Sequence, residues 1–564
     1  MTDLNHDFLK TIQHLETTLG DPTNEQSEIN FARSVTLDEA QAFPHDYIRY
    51  LTDIGYFSHF VPTEMGGQLH EFSELLLLCR TLSRRDLTAA IATGQTMLGA
   101  LPVWLCGDQT QKSLLAEHIL QGHLGCLALT EKRHGSNLLA SEVSATEHAD
   151  DYQLNGEKWL INNATQGHTM TILVRKYDHN QRESLAVLLL DKTCIKDFEN
   201  IEKINTHGIR CADISGIRFN NTQVPKSAII QTNEPGMYGV LKALQISRIL
   251  CAGFSLGAFD TCLRLTYDFA KSRALYQKTV LDMPTVQQGL GRSFAKLLVA
   301  EMVSLASSKT LNYAGKSLSV YSASCKYWVP KTTELAIDEL KVILGARYYL
   351  RDEYQAGMFQ KMQRDNAVVS LFDGSSQLNL GLISSQTNAI ASKLLDNPCA
   401  HPDIAAWFDL NTAKSLSTIS SAMLSVNNMG QDPILASFLA ITEQRQFDRL
   451  DANLQTVLHT LKQQILSWCD TIQTLQHNEQ NEPASVVRFA ATKQYTQLFA
   501  ASCCALYVIF NPSHPLLGQS DIAQDLLTVI LDDSDLWVPS NALLGTLDTQ
   551  HQNQSMYSLL ALPK

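Results

Sequence analysis

The hydrophobic period of this chain switches twice, and those switches constrain its fold more than any other feature. Residues 1–124 repeat apolar side chains at helical spacing, as in Phe72, Leu75, Leu76, Cys79 and Leu82, with proline and glycine kept to boundaries such as Val61–Gly67. Near residue 125 the pattern shortens. Gly125–Glu131, Tyr152–Leu154, Trp159–Asn162, Thr169–Arg175, Ser184–Leu190 and Gly216–Phe219 are rich in β-branched or apolar residues and separated by turn signals such as Asn155-Gly156. From Tyr238 the helical pattern returns, in long segments expected to break at Pro284, Pro330 and Gly345. Strand side chains alternate faces and helix side chains return about every 3.6 residues, so each switch in period marks a switch in layer. The order predicts an α+β chain: an N-terminal helical domain (1–124), a central β domain (125–232), a helical bundle (233–395) and an additional C-terminal helical region (396–564). A polar hinge is expected at Glu479–Glu482, with Pro483 opening the next helix.

Charge and cysteine usage exclude several classes of function. The 564 residues carry a formal net charge of -13, and in 396–564 acidic residues outnumber basic ones at least two to one. A non-specific grip on nucleic acid needs a basic footprint, and anionic membranes repel such a surface. The uncharged apolar stretches singled out, Leu75–Cys79 and Ala500–Phe510, fall short of the ~20 residues of a spanning helix. Met1–Asp7 has neither a basic n-region nor an apolar h-region. Twelve cysteines without a CxxC pair read as reduced thiols, and 17 histidines show no metal-ligand spacing with them. The expectation is a soluble cytoplasmic protein with no metal, no membrane contact and no nucleic-acid partner.

Five segments carry candidate chemistry, and each also has a plain structural reading. Leu127–Asn137 runs from a strand into a turn whose Gly135 and Ser136 can form an anion nest, or simply a polar turn. Leu154–Asn163 reads as a β-hairpin, and His207–Lys226 as two strands and a loop. Arg248 and Arg273 lie 25 residues apart on helical sequence, where lone arginines are usually solvated. In Arg364–Leu378, Asp373 sits between Leu371-Phe372 and a Gly-Ser-Ser turn, placed for a desolvated general base or for a helix cap. Gly289-Leu-Gly291 follows no strand and is not a dinucleotide loop.

In this order and spacing, the segments closely resemble the acyl-CoA dehydrogenase family, over about 60% of the chain (Ala42–Gln386). Val61–Gly67 and Gly107–Lys112 are similar to two further family segments. The resemblance implies an N-terminal helical domain, a β-barrel-like middle domain and a C-terminal four-helix bundle, with FAD between the last two. The trailing helices resemble the extension of very-long-chain members, which implies a homodimer. By position, Thr130 matches the threonine on the flavin ring and Ser136 the serine on the FAD pyrophosphate. Asn162 stands where a threonine meets flavin N5. Arg273, with Tyr276 at the adjoining aromatic position, matches an arginine reaching the neighbouring subunit's FAD. Gln287 falls at a family glutamine, and Ser375 and Gln377 match FAD-binding residues after the base. Asp373 stands where most members have the catalytic glutamate, and Arg248 matches the arginine facing it. The implied reaction is α,β-desaturation of a fatty acyl thioester, carried by CoA or an acyl carrier protein, to a trans-2-enoyl thioester. Electrons pass to electron-transfer flavoprotein or another acceptor.

The sequence also departs from the family pattern. Asp373 shortens the base by one methylene, Asn162 replaces a threonine, and Val342 and Ala346 replace the glutamine and second glycine of a QxLGG segment. Gln245 replaces an acidic residue often found three positions before Arg248. Nitroalkane oxidases share the aspartate, so a flavin oxidase or monooxygenase, and a non-catalytic scaffold, stay open beside the dehydrogenase. Arg84-Arg85 is a basic pair that could dock a carrier protein.

Overall fold

The computed structural model describes residues 4–231, 236–396, 398–412, 414, 416, 419–444, 447, 450–477, 485–532, 534 and 536–560. The expected hinge at Glu479–Glu482 and Pro483 lies outside the described residues. The N-terminal region holds helices α1 (Leu4–Leu19), α2 (Phe31–Ala40), α3 (His45–Asp53), α4 (Phe72–Ser83), α5 (Leu87–Cys106) and α6 (Gln109–Leu120). Strands follow: β1 (Gly125–Ala128), β2 (Ser144–Glu147), β3 (Asp151–Asn162), β4 (Thr169–Tyr177), β5 (Glu183–Asp191), β6 (Phe198–Ile201) and β7 (Ile214–Pro225). Next come α7 (Gly236–Ser272), a small hairpin of β8 (Ala274–Leu275) and β9 (Lys278–Thr279), then α8 (Pro284–Tyr313) and α9 (Leu318–Leu344). Shorter helices α10 (Ala346–Tyr349), α11 (Met358–Asn366), α12 (Ser376–Ser384) and α13 (Thr387–Asp396) complete that region. The trailing region adds α14 (Ile404–Phe408), α15 (Pro433–Ile441), α16 (Ala452–His477), α17 (Val486–Phe510), α18 (Ser520–Leu531) and α19 (Asn541–Gln552).

The order α, β, α, α is therefore as expected, but the middle domain is an open mixed sheet and not a barrel. Strand β4 pairs in parallel with β1 and then β2 along one edge and antiparallel with β5 along the other. The sheet continues through β2, β3, β7 and β6, and β5 and β6 do not pair with each other. Asn155-Gly156 is also not a hairpin turn. Strand β3 runs straight through it, paired with β2 on one side and β7 on the other, and absorbs the extra residue as a bulge with Gly156 at φ 121°. A second bulge follows at Leu160, φ 62°.

Two helix expectations need the same correction. Pro284 opens α8 and Gly345 ends α9, but Pro330 lies inside α9, removing only the N–H that would have bonded the Lys326 carbonyl. Helix α5 is an uncharged 20-residue helix long and apolar enough to cross a bilayer, as is α7. Both are buried: α5 packs between the sheet and α7, and α7 runs against α4, α5, α8 and α9. The close approaches are set by small residues. A side chain at Gly253 or Gly257 of α7 would collide with the backbone of α4.

The trailing region is built into this core. Arg80 of α4 is fully buried and donates from Nη1 to Glu301 Oε1 of α8 (2.6 Å) and from Nη2 to the carbonyl of Tyr557 (2.6 Å). Glu301 also accepts from Ser558 Oγ (2.5 Å) and the Leu559 N–H (2.7 Å), while Asp260 of α7 accepts from the Tyr557 N–H (2.8 Å). Asp260 pairs in turn with Arg84 (3.0 Å). Arg84 and Arg85 are accordingly buried and bonded to Glu16 and Asp260, so they offer no basic docking patch. Removing one partner of a buried pair strands the other charge, so Glu301→Gln should cost about 3–5 kcal/mol. Glu199→Gln, which removes an exposed partner of Arg218, should cost under about 1 kcal/mol. Urea denaturation of the two variants checks this; equal shifts would mean that the network carries no special weight.

Candidate active site

Asp373 terminates the run of turns after α11. Its φ is 53° and that of Gly374 is 92°, so the chain reverses there before Ser375 caps α12 by accepting the Leu378 N–H (3.3 Å). The capping role weighed for Asp373 thus belongs to Ser375. A Cβ at Gly374 would lie 3.3–3.4 Å from the Arg248 guanidinium, and Asn379 Nδ2 donates to the Gly374 carbonyl (2.9 Å).

Helix α7 presents a set of side chains to this reversal. Ser247 Oγ donates to Asp373 Oδ2 (2.6 Å), Cys251 Sγ lies 3.6 Å from the same oxygen, and Arg248 Nε donates to the Asp373 carbonyl (3.4 Å). Asp373 Oδ1 is buried with no protein partner. Burial raises the Asp373 pKa above the usual carboxylate range, partly offset by Arg248, Lys326 and the bonds from Ser247 and Cys251. Burial also lowers the Arg248 pKa, and burial with the neighbouring carboxylate raises that of the Cys251 thiol. One oxygen is fixed and the other left open in a low-dielectric setting. That is the arrangement of a general base waiting for a C–H acid.

The β domain meets this site across α5. Asn163 Nδ2 donates to the Ala92 carbonyl (2.7 Å), and two residues on, Gly94 faces Phe254 of α7, whose ring stacks on Phe372 (6.5 Å). The end of β3 and the base thus lie on either side of one turn of α5. There Asn162 Oδ1 is a second buried atom with no partner in the protein. Buried polar atoms are nearly always satisfied, so an orphan here fits a hydrogen-bonding ligand.

Thr130 follows β1 and is half-buried, its carbonyl accepting the Trp159 N–H (3.0 Å). Ser136 is exposed in the turn beyond it. That turn is anchored by Glu131, which accepts from Lys158 Nζ (2.7 Å), Ser141 Oγ (2.7 Å) and the N–H groups of Glu142 and Val143. Burial pushes the Glu131 pKa up, but Lys158 and these bonds outweigh it and the net direction is down. Gln377 is exposed on α12 beside Ser375.

Three expected residues stand apart from these groups. Arg273 and Tyr276 are exposed on the β8–β9 hairpin, Tyr276 at 91%. Gln287 lines a cavity of about 280 Å³ between the start of α8 and α19. Sequence reasoning missed Ser247, Cys251, Lys326 and the Glu131–Lys158 pair. Ser247 and Cys251 flank Arg248 at i and i+4 spacing, and Lys326 is the lone charge between Leu318 and Pro330, so both signals were present. Among the described residues no group of three or more His, Cys, Asp or Glu side chains could hold a metal ion.

Sequence models of the acyl-CoA dehydrogenase N-terminal, middle and C-terminal domains match residues 26–123, 126–222 and 234–387. The chain belongs to the acyl-CoA dehydrogenase family. Members of this family are oxidoreductases acting on CH–CH bonds of acyl-CoA. Among its relatives, a 3-(aryl)acrylate reductase of Clostridium sporogenes is 22% identical over 62% of this chain and 92% of its own. The mitochondrial isovaleryl-CoA dehydrogenase of Bos taurus is 23% identical over 63% and 83%. An acyl-CoA dehydrogenase of Bacillus anthracis, solved in complex with FAD, aligns with a TM-score of 0.71 and 16% identity over 100% of this chain and 93% of its own. The last likeness spans α14–α19 as well, so the trailing helices belong to a fold seen elsewhere in the family.

The Glu131–Lys158 pair makes the turn testable. Lys158 is fully buried, so Glu131→Gln should strand it and loosen the segment that carries Ser136. Faster proteolytic cleavage within 131–143 and weaker flavin retention on gel filtration are the expected readouts; an unchanged cleavage pattern would refute the anchoring.

Proposed function

We propose that this chain is an FAD-dependent dehydrogenase that desaturates an acyl thioester between its α- and β-carbons. The observation that carries the reading is the Asp373 carboxylate, with Oδ2 held by Ser247 and Oδ1 buried and unpartnered. Bound FAD supplies the acceptor for the β-hydrogen and its electron pair. Thr130, Ser136, Asn162, Ser375 and Gln377 would hold it from one subunit, Arg273 and Tyr276 would reach it from the other, and Gln287 falls at a further cofactor-binding position. Asp373 removes the α-proton through Oδ1. Its N–H donates to the thioester carbonyl, so negative charge developing on that oxygen meets a fixed dipole. Arg248, donating to the Asp373 carbonyl, holds the residue that carries both groups. CoA is the carrier we favour over a carrier protein, because Arg84 and Arg85 are committed to internal ion pairs. Electron-transfer flavoprotein is the acceptor favoured by family membership.

A homodimer fits the same reading. Val342, Tyr349 and Leu350 are exposed near the end of α9, and Ile343 packs on Gly289 at the start of α8, beside the hairpin carrying exposed Leu275 and Tyr276. An apolar surface of this kind next to Arg273 suits a second copy of the chain.

Anaerobic titration of the flavin-loaded protein with acyl-CoA thioesters of graded length tests the activity. Bleaching of the flavin band is expected, and Asp373→Asn should slow it by about 10²-fold or more. A yellow protein that no thioester bleaches would sink the reading. Rapid reoxidation by air after bleaching would move it to an oxidase.

A further inference from the structure

Aspartate at position 373 lacks one methylene of the usual base, and misplacement of a reacting group by an ångström costs roughly 10²-fold in rate. The carboxylate must therefore be held closely, and the surrounding backbone shows how. After α11 the chain winds through successive turns, with Val369, Leu371 and Phe372 N–H groups bonding back to Asn366 and Val368. The left-handed residues Asp373 and Gly374 end that run, leaving terminal carbonyls without onward partners. Two of them, Val369 and Phe372, accept from one group: Lys326 Nζ of α9, at 2.5 and 2.6 Å. The ammonium also lies 5.0 Å over the Phe372 ring. Lys326 is 1% exposed, and among the described residues it makes no ion pair. A buried lysine without a carboxylate on it is costly, and this one is spent on the two carbonyls next to the base.

We propose that Lys326 is the positioning residue of the site: by holding the carbonyls of Val369 and Phe372 it fixes where the shortened base presents its carboxylate, and it faces that carboxylate with a buried positive charge. The inference rests on Asp373 being the base. The charged and titratable groups around Asp373 are Arg248 and Cys251 from α7 and Lys326 from α9, with Cys325 behind Lys326 and Cys79 of α4 behind Cys251. Burial lowers the Lys326 pKa, while Cys251 and Asp373 pull it back up. The sign is fixed by charge: a nearby cation favours carboxylate over carboxylic acid, so its loss raises the pH at which Asp373 ionises.

The test compares wild type with Lys326→Met, which removes charge and donors, and Lys326→Gln, which removes charge and keeps an amide donor. Flavin reduction by the thioester identified in the titration is followed anaerobically across pH. In both variants the acid-limb midpoint should move up by about 1 pH unit or more. The plateau rate of Lys326→Met should fall by about 10²-fold, with the half-saturating thioester concentration little changed. A midpoint is independent of how much folded protein is recovered, so partial loss of stability does not mask it. A rate lowered equally at every pH, with the wild-type midpoint, would overturn the proposal and leave Lys326 a structural residue. Infrared titration of the Asp373 carboxyl, referenced to Asp373→Asn, reads the same midpoint without turnover. If no thioester reduces the wild-type flavin, the assigned activity fails; the infrared midpoint then still upholds or overturns the effect of Lys326.

Discussion

The buried contact between Arg80 and Glu301 governs how the rest of the chain is arranged. Neither charge can be left alone away from water, so each recruits every donor or acceptor within reach. Arg80 belongs to the N-terminal helices and Glu301 to α8, and the pair is further met by Asp260 of α7 and by the backbone of Tyr557–Leu559. Four stretches of sequence far apart in the chain thus meet at one point. The trailing helices are for this reason part of the core that positions α7, and α7 is the helix that carries Ser247, Arg248 and Cys251.

That dependence explains how a loop residue can be held as closely as the proposed base requires. Asp373 sits on an irregular segment, where positional precision is least expected. The segment is bounded by three fixed elements: α7 touches the carboxylate, α9 holds the carbonyls before it through Lys326, and α12 holds the Gly374 carbonyl through Asn379. Strain at the left-handed Asp373 is tolerated because those partners over-determine the path. Rigid scaffold and exposed chemistry are divided between helices and turn in the usual way for enzymes.

What the sequence disclosed follows from which signals are local. Period switches are local, and they located the strand region and the return to helix, expected from Tyr238 and found from Gly236. Turn signals are local too, yet Asn155-Gly156 misled, because whether a glycine pair turns or bulges depends on the partners of the strand on both sides. Openness of the sheet is likewise a matter of pairing between β5 and β6, which no short segment records. Pro330 failed as a break because tertiary packing around α9 outweighs one lost hydrogen bond. The residues matched by resemblance were legible as identities. The contacts that give Asp373 its properties were not, since Ser247 and Lys326 come from elements separated from it by 126 and 47 positions.

Buried cations in this protein are partnered either by carboxylates or by neutral oxygens, the latter including Lys309, which donates to the carbonyls of Asp409 and Thr412. Arg80, Arg84 and Lys361 sit on carboxylates of another region of the chain, and Lys158 sits on Glu131 within the β domain; each is neutralised locally. Lys326 sits on the carbonyls of Val369 and Phe372, and its charge acts on the Asp373 carboxylate. A cation paired at hydrogen-bond distance would have given rigidity without that field. One bound to an ionised Asp373 itself would have tied up the oxygen that must take a proton. Placing the charge behind two carbonyls satisfies both needs: the backbone is held, and Oδ1 is left open. Burial by itself favours the protonated carboxyl, the form that cannot act as a base. The opposing pull of Arg248 and Lys326 favours its ionised form without occupying the atom that reacts.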